Sequence, residues 1–261
     1  MKNPWIDYDY KNPNKVHPLD QELFDKVNKR LAKKKEGSAQ VLSSKNVALP
    51  YFGNPEANLV LLYANPGLDK KHTAKEETPE LQEVFDLARK HKLKNAEAFV
   101  FLQDAFIGTP GHKWWLNTLD RLLTRFSDQK HLVLRNIFSA EIHPYKSVKY
   151  GALTAKEGSF PTSQYTFELV RKAMERGALI LIARAQKEWF AAVPGLENYD
   201  RLLFLSSAQN PMISPNNVMV KRKNASLDDA KNTAWQLITF EAMRNLPGSR
   251  VQVDGVGPLG N

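Results

Sequence analysis

Cysteine is absent from the 261 residues, which excludes disulfides, a thiol nucleophile, thiolate-held iron–sulfur clusters and cysteine-based zinc sites. No apolar run approaches ~18 residues, so the sequence offers no candidate for a membrane-spanning helix. The opening stretch, MKNPWIDYDYKNPNK, lacks the apolar core of a secretion signal. Also missing are the G-x-G-x-x-G and G-x-x-x-x-G-K-[ST] phosphate loops and the G-x-S-x-G elbow, which argues against dinucleotide, nucleoside-triphosphate and serine-hydrolase sites. The six histidines are scattered. Only His143 falls at an expected strand end, and no second ligand stands at a chelating distance from it, so no metal centre is expected. These absences lead to the expectation of a soluble cytoplasmic protein.

What is present is the composition of a folded α/β chain. Apolar residues make up 42% and charged residues 25%, which excludes wholesale disorder and suffices for the core of one domain with extensions. The 37 Lys+Arg outnumber the 28 Asp+Glu, giving a formal charge of +9 and favouring a polyanionic partner. Residues 1–17 are polar and aromatic with two Asn-Pro pairs and read as an irregular arm. From Pro18, the apolar residues Leu19, Leu23, Phe24, Val27 and Leu31 predict a helix, closed by Lys33-Lys34-Lys35-Glu36-Gly37. The arm and this helix form segment 1–45, followed by an α/β domain over 46–246 and a loose Gly/Pro-containing tail over 247–261.

Four short apolar runs, at 59–63, 137–142, 178–183 and 201–206, predict strands, and the first and third are apolar nearly throughout, as strands covered on both faces are. Helical patterns lie between them at 78–91, 114–126 and 164–176, with a last one from the capping pair Ser226 and Asp229 through Met243. Strands alternating with helices predict three layers, α/β/α, around a central, mostly parallel four-stranded sheet. Gly108-Thr109-Pro110-Gly111 reads as a flexible loop.

In such a sheet, ligands bind beyond the carboxyl ends of the strands. Those ends read Asn65-Pro66-Gly67-Leu68-Asp69, Glu141-Ile142-His143-Pro144-Tyr145-Lys146-Ser147, Arg184, and Gln209-Asn210-Pro211-Met212-Ile213-Ser214. The segment from Tyr51 through Asn65-Pro66-Gly67 resembles the first motif of the uracil-DNA glycosylase superfamily, nearest its mismatch-specific branch. Asn210-Pro211-Met212-Ile213-Ser214 resembles the second motif, one residue shorter and without its Gly. The resemblance covers roughly residues 46–246. It departs from the uracil-specific enzymes, which carry an Asp in the first motif and a His in the second.

The resemblance implies a monofunctional DNA glycosylase, monomeric and independent of metal or cofactor. It would flip a damaged, mismatched or modified pyrimidine out of DNA and hydrolyse the N-glycosidic bond, leaving an abasic site. Asn65 would position the water, with Asp69 orienting it or stabilising the cationic sugar. Gly67, Glu141, Tyr145, Ser147 and Asn210 would surround the base. Glu141 replaces the Asn of uracil-specific members and can accept from an exocyclic amine. Phe85 and Phe106 are candidates to stack on the base, and one ring of the pair Trp114-Trp115 can face the site. Met212 and Ile213 would form the wedge, with Ser214, Lys221, Arg222 and Lys223 meeting DNA phosphates. The long interval between Asp69 and Lys113 allows an enlarged pocket, and so an antiviral role against modified phage bases. Two other readings remain: a glycosylase-like fold that binds DNA without catalysis, and an enzyme acting on free nucleosides.

Overall fold

A computed structural model describes residues 1–33, 37–207, 209–221 and 226–244. Arg222 and Lys223, the helix-end residues Lys34, Lys35 and Glu36, and the tail 247–261 lie outside the described residues. The strands are β1 (Tyr51–Gly53), β2 (Leu59–Tyr63), β3 (Ile137–Glu141), β4 (Leu179–Ile182), β5 (Leu202–Leu205) and β6 (Val218–Val220). They form one sheet in the order β1-β3-β2-β4-β5-β6. The helices are α1 (Gln21–Ala32), α2 (Gly37–Gln40), α3 (Pro79–Arg89), α4 (Pro110–Arg125), α5 (Lys130–Arg135), α6 (Ser163–Glu175), α7 (Gln186–Ala192) and α8 (Leu227–Met243).

The sheet is therefore mixed and six-stranded, which corrects the expected four-stranded arrangement. The four expected strands are its middle and run parallel. Two edge strands join them antiparallel, β1 on β3 and β6 on β5. Each edge strand has only three residues, too few for alternation to register in sequence. Gly53 ends β1 at φ +93°, where a Cβ would stand 2.4 Å from the Ile137 carbonyl oxygen, so the edge closes on β3 only with glycine there.

Every residue of β2, β3 and β4 is buried, and strand alternation sorts them between two cores. Val60, Leu62, Phe138, Ala140, Ile180 and Ile182 pack with residues of α1, α6 and α7. Leu59, Leu61, Tyr63, Ile137, Leu179 and Leu181 pack with α3, α4, α5 and α8. Burial of each large aliphatic or phenylalanine side chain among them stabilises the fold by roughly 1.5–3 kcal/mol.

The N-terminal arm is part of this packing. Trp5, Tyr8 and Val16 are buried in the first core with α1 and the sheet. Asn3 donates to the Arg89 carbonyl at 2.8 Å, and the buried Arg89 guanidinium lies 5.0 Å from the Tyr8 ring centre. Irregularly spaced aromatics leave no periodic trace, which is why this role is silent in the sequence. The expected loop at 108–111 is also different. Thr109 caps α4 by accepting from His112 N–H at 3.1 Å, with Pro110 in the first turn, so the helix begins ahead of Trp114.

Candidate active site

A cleft of about 560 Å³ opens at the carboxyl ends of β2, β3 and β4, the edge where an α/β sheet collects ligands. Its volume is within the range of small-molecule sites. Of the site residues expected from sequence, Asn65, Gly67, Asp69, Glu141 and Ser147 line it. So do Tyr63, Phe52, Phe101, Trp114 and Trp115, with Lys113 and Arg184 beside them.

Two strand-end loops are stitched together to make the floor. Gly67 and Ser147 form a parallel bridge, with Leu68 N–H donating to Ser147 O at 3.0 Å and Ser147 N–H to Pro66 O at 3.3 Å. Asn65 sits at the centre. Its Nδ2 donates to Pro66 O and Tyr145 O at 3.1 Å and to Ser147 Oγ at 2.9 Å. Two carbonyl acceptors fix the orientation of the amide, because only its NH₂ end can face them. Its Oδ1 is left without a protein partner among the described residues, as the acceptor that Asn65 brings to the cleft. The Ser147 hydroxyl is spent in this network, since it also donates to Lys149 O at 2.8 Å. Gly67 faces open space, with no protein atom within 4 Å of a Cβ built on it.

The walls are aromatic. Tyr63 meets Trp114 and Trp115 edge-on, each at 5.3 Å between ring centres, and Phe52 meets Trp115 at 5.2 Å. Trp114 is half-buried while Trp115 is buried. Phe85 and Phe106, the stacking candidates, do not line the cleft; they meet each other at 5.2 Å inside the core.

Under this wall lies a buried ion cluster that sequence reasoning missed. Lys146 reaches Glu77 at 3.0 Å and Glu76 at 3.3 Å. Burial alone would push its ammonium toward neutrality, but Glu77 and Glu76 reverse this and hold it above the ordinary lysine value. Glu76 also accepts from Gly111 N–H at 2.5 Å, tying the first turn of α4 to the floor. Only folding brings residues 76, 111 and 146 together, so no spacing could have revealed the cluster.

Glu141 is the end residue of β3, buried and lining the cleft. Desolvation holds its carboxyl well above the usual range, with Arg184 opposing weakly. Asp69 is exposed on the rim. Hydrogen bonds from the His72 ring, at 2.9 Å, and from Lys71 N–H hold it below the usual carboxylate range. His143 is buried on the other face against Tyr150 and Phe160, where burial pushes its pKa down to about 3. Among the described residues, no three His, Asp or Glu side chains gather where they could hold a metal ion. Likewise, no helix among them is long and apolar enough to cross a membrane.

No protein-family model matches the chain, nor does any curated protein or solved structure. The residues of the site therefore have to carry the functional argument alone.

The other expected site residues lie outside the cleft lining. Tyr145 is turned into the first core, its hydroxyl donating to Asp20 at 2.6 Å. Asn210 is exposed and accepts from Met212 N–H at 3.1 Å. Ile213 is fully buried and its N–H donates to Thr118 O of α4 at 2.9 Å. That position corrects its expected wedge role, because an apolar side chain already in the core has no free surface to insert. Met212 is half-buried, and Ser214 is buried. Lys221 is exposed and donates to Glu197 O at 3.2 Å. Exposed cations stand elsewhere: Lys113 and Arg184 line the cleft, and Lys70 and Lys71 follow Asp69. Arg184 stands at one of the expected strand ends, and Tyr63 could have been picked out as the last residue of another expected strand.

Proposed function

We propose that the chain is a monofunctional DNA glycosylase of uracil-DNA glycosylase-like, three-layer architecture, which excises a damaged, mismatched or modified pyrimidine. The observation that carries this reading is the Asn65 amide. Three hydrogen bonds engage its NH₂ and leave Oδ1 without a protein partner among the described residues, in a residue that lines a cleft large enough for a flipped nucleotide. A fixed acceptor holds a water in one orientation, and hydrolysis at an anomeric carbon needs such a water as positive charge grows on the sugar. The aromatic walls supply stacking faces for the extruded base. Lys70, Lys71, Lys113 and Arg184 supply phosphate contacts around the mouth. Neither metal nor cofactor enters the scheme, and modified bases of phage DNA belong to the substrate range it allows.

Incubation with oligonucleotides bearing a panel of lesions and with phage DNA, followed by alkali, is expected to give strand breaks. Asn65→Ala is expected to reduce them by about 10²-fold or more. A full panel without base release overturns the reading. The position of loop 209–214, packed on α4 away from the cleft lining, favours a second reading, DNA binding without excision. That reading predicts salt-sensitive DNA affinity with no released base.

A further inference from the structure

The floor of the cleft carries a group that water positioning leaves unused. The Glu141 side chain lines the cleft, yet its Oε2 is enclosed and meets no hydrogen-bond partner. Tyr63 stands beside it in register on β2, and its hydroxyl is likewise buried without a partner. Buried polar atoms are normally satisfied, so two orphaned neighbours on one cleft wall point to a ligand that completes them. Around Glu141 stand the hydroxyls of Tyr63 and Tyr150, and Arg184 follows β4. Arg184 is exposed to solvent, which weakens it as a counter-charge. Lys146 and Glu76, also in the lining, are engaged with each other.

Resting on the glycosylase reading above, we infer that Glu141 is the general acid of the reaction and that its substrate is a 4-aminopyrimidine, a base of the cytosine type. A carboxylic acid presents a donor and an acceptor side by side. The edge of a 4-aminopyrimidine presents their complement, the N3 lone pair and the exocyclic amine. Excision from such a base needs a proton, because the bare anion is a poor leaving group. As the C1′–N1 bond breaks, its electron pair goes to N1 and the Glu141 proton passes to N3. The base departs as a neutral tautomer. The water at Asn65 forms the new C1′–O bond and releases a proton to solvent, from which the Glu141 carboxylate is reprotonated. A 4-oxopyrimidine already carries hydrogen on N3 and cannot take the proton there. Burial keeps Glu141 protonated beyond the usual carboxylate range, as a general acid requires.

The test uses oligonucleotides carrying matched 4-amino and 4-oxo bases: cytosine with uracil, 5-methylcytosine with thymine, and the two 5-hydroxymethyl bases. The 4-amino member of at least one pair is expected to be released at least tenfold faster, with the rate falling tenfold per pH unit above the Glu141 pKa. Glu141→Gln keeps the shape but has no proton to give. It is expected to lose at least 100-fold on the 4-amino base and to flatten the pH profile, with Tm unchanged or raised. Equal release of both classes with a fully active Glu141→Gln overturns the inference while the glycosylase reading stands. If no base is released at all, that reading fails, and ¹³C NMR of labelled glutamates decides the remainder. Against Glu141→Gln as blank, free cytosine should shift the Glu141 carboxyl signal while leaving it protonated, and free uracil should not shift it. An unmoved signal overturns the pairing.

Discussion

Two strand-end regions bear Asn-Pro motifs, and the fold treats them differently. After β2, Asn65-Pro66-Gly67 is sewn to Tyr145 and Ser147 and faces the cleft. After β5, Asn210-Pro211-Met212 is organised around the buried Asn217. Its Nδ2 donates to Asn210 O at 2.7 Å and Met212 O at 2.9 Å, while its Oδ1 accepts from Ser207 N–H at 2.9 Å. The first motif finds partners from another strand end and so becomes a wall of the site. The second finds its partner seven residues on and becomes a self-contained turn resting on α4. The same Asn-Pro pair serves a site or a loop according to where the bonding partner comes from.

The largest expected effect breaks the first region from beneath. Lys146→Met leaves Glu76 and Glu77 without their buried cation and should cost about 3–5 kcal/mol in denaturant unfolding. In the second region, Ile213→Ala should cost about 2–5 kcal/mol as a core truncation, whereas Met212→Ala should stay under ~1 kcal/mol. Unchanged stability with lost DNA binding on Ile213→Ala would instead restore the wedge.

Asn217→Ala removes the hub of the second loop and should cost about 2 kcal/mol while base release stays within a few-fold of wild type. If release collapses along with stability, the loop belongs to the site and the contrast between the regions dissolves.

A pH titration of Tm sharpens the contrast further. His143, buried on the other face of the strand-end edge, and His91 are held neutral by burial, at about 3 and about 4. Between those values and ~6.5, the unfolded chain binds more protons than the native one. Stability is therefore full above ~6.5 and declines as pH falls toward 4. His143→Phe, which keeps a ring against Tyr150 and Phe160, should make that decline shallower. The smallest effect is on charge. Lys113→Ala should lower the salt dependence of DNA binding by about one unit of slope, and Lys221→Ala by less.

Much of the fold was legible. Nearly continuous apolar runs marked β2 and β4, which are buried on both faces, and shorter apolar runs marked β3 and β5, β3 carrying the buried Ser139 and Glu141. Thr78 followed by Pro79 marked the start of α3, where the Thr78 side chain caps the helix at Leu81 N–H. Within the site, Asn65, Gly67, Asp69, Glu141 and Ser147 were reachable because strand ends in a parallel sheet converge on one edge. Tyr145 was misread, since nothing in its local sequence distinguishes a ring facing the cleft from one reaching Asp20 across 125 residues. Gln209 through Ser214 was read by likeness to a motif, and likeness does not specify what a loop packs against.

The sequence by itself determined the four central strands, the longer helices and their order: apolar periodicity and capping chemistry are local properties, written where they act. It also determined the absence of thiol chemistry and the surplus of positive charge. Only the tertiary structure decided which polar atoms were satisfied. Asn65 has its NH₂ consumed and its Oδ1 spare, Glu141 is buried without a partner, and Lys146 is matched to two carboxylates. Hydrogen bonding and desolvation depend on distances between residues far apart in the chain, and those distances exist only once the sheet has brought its strand ends together.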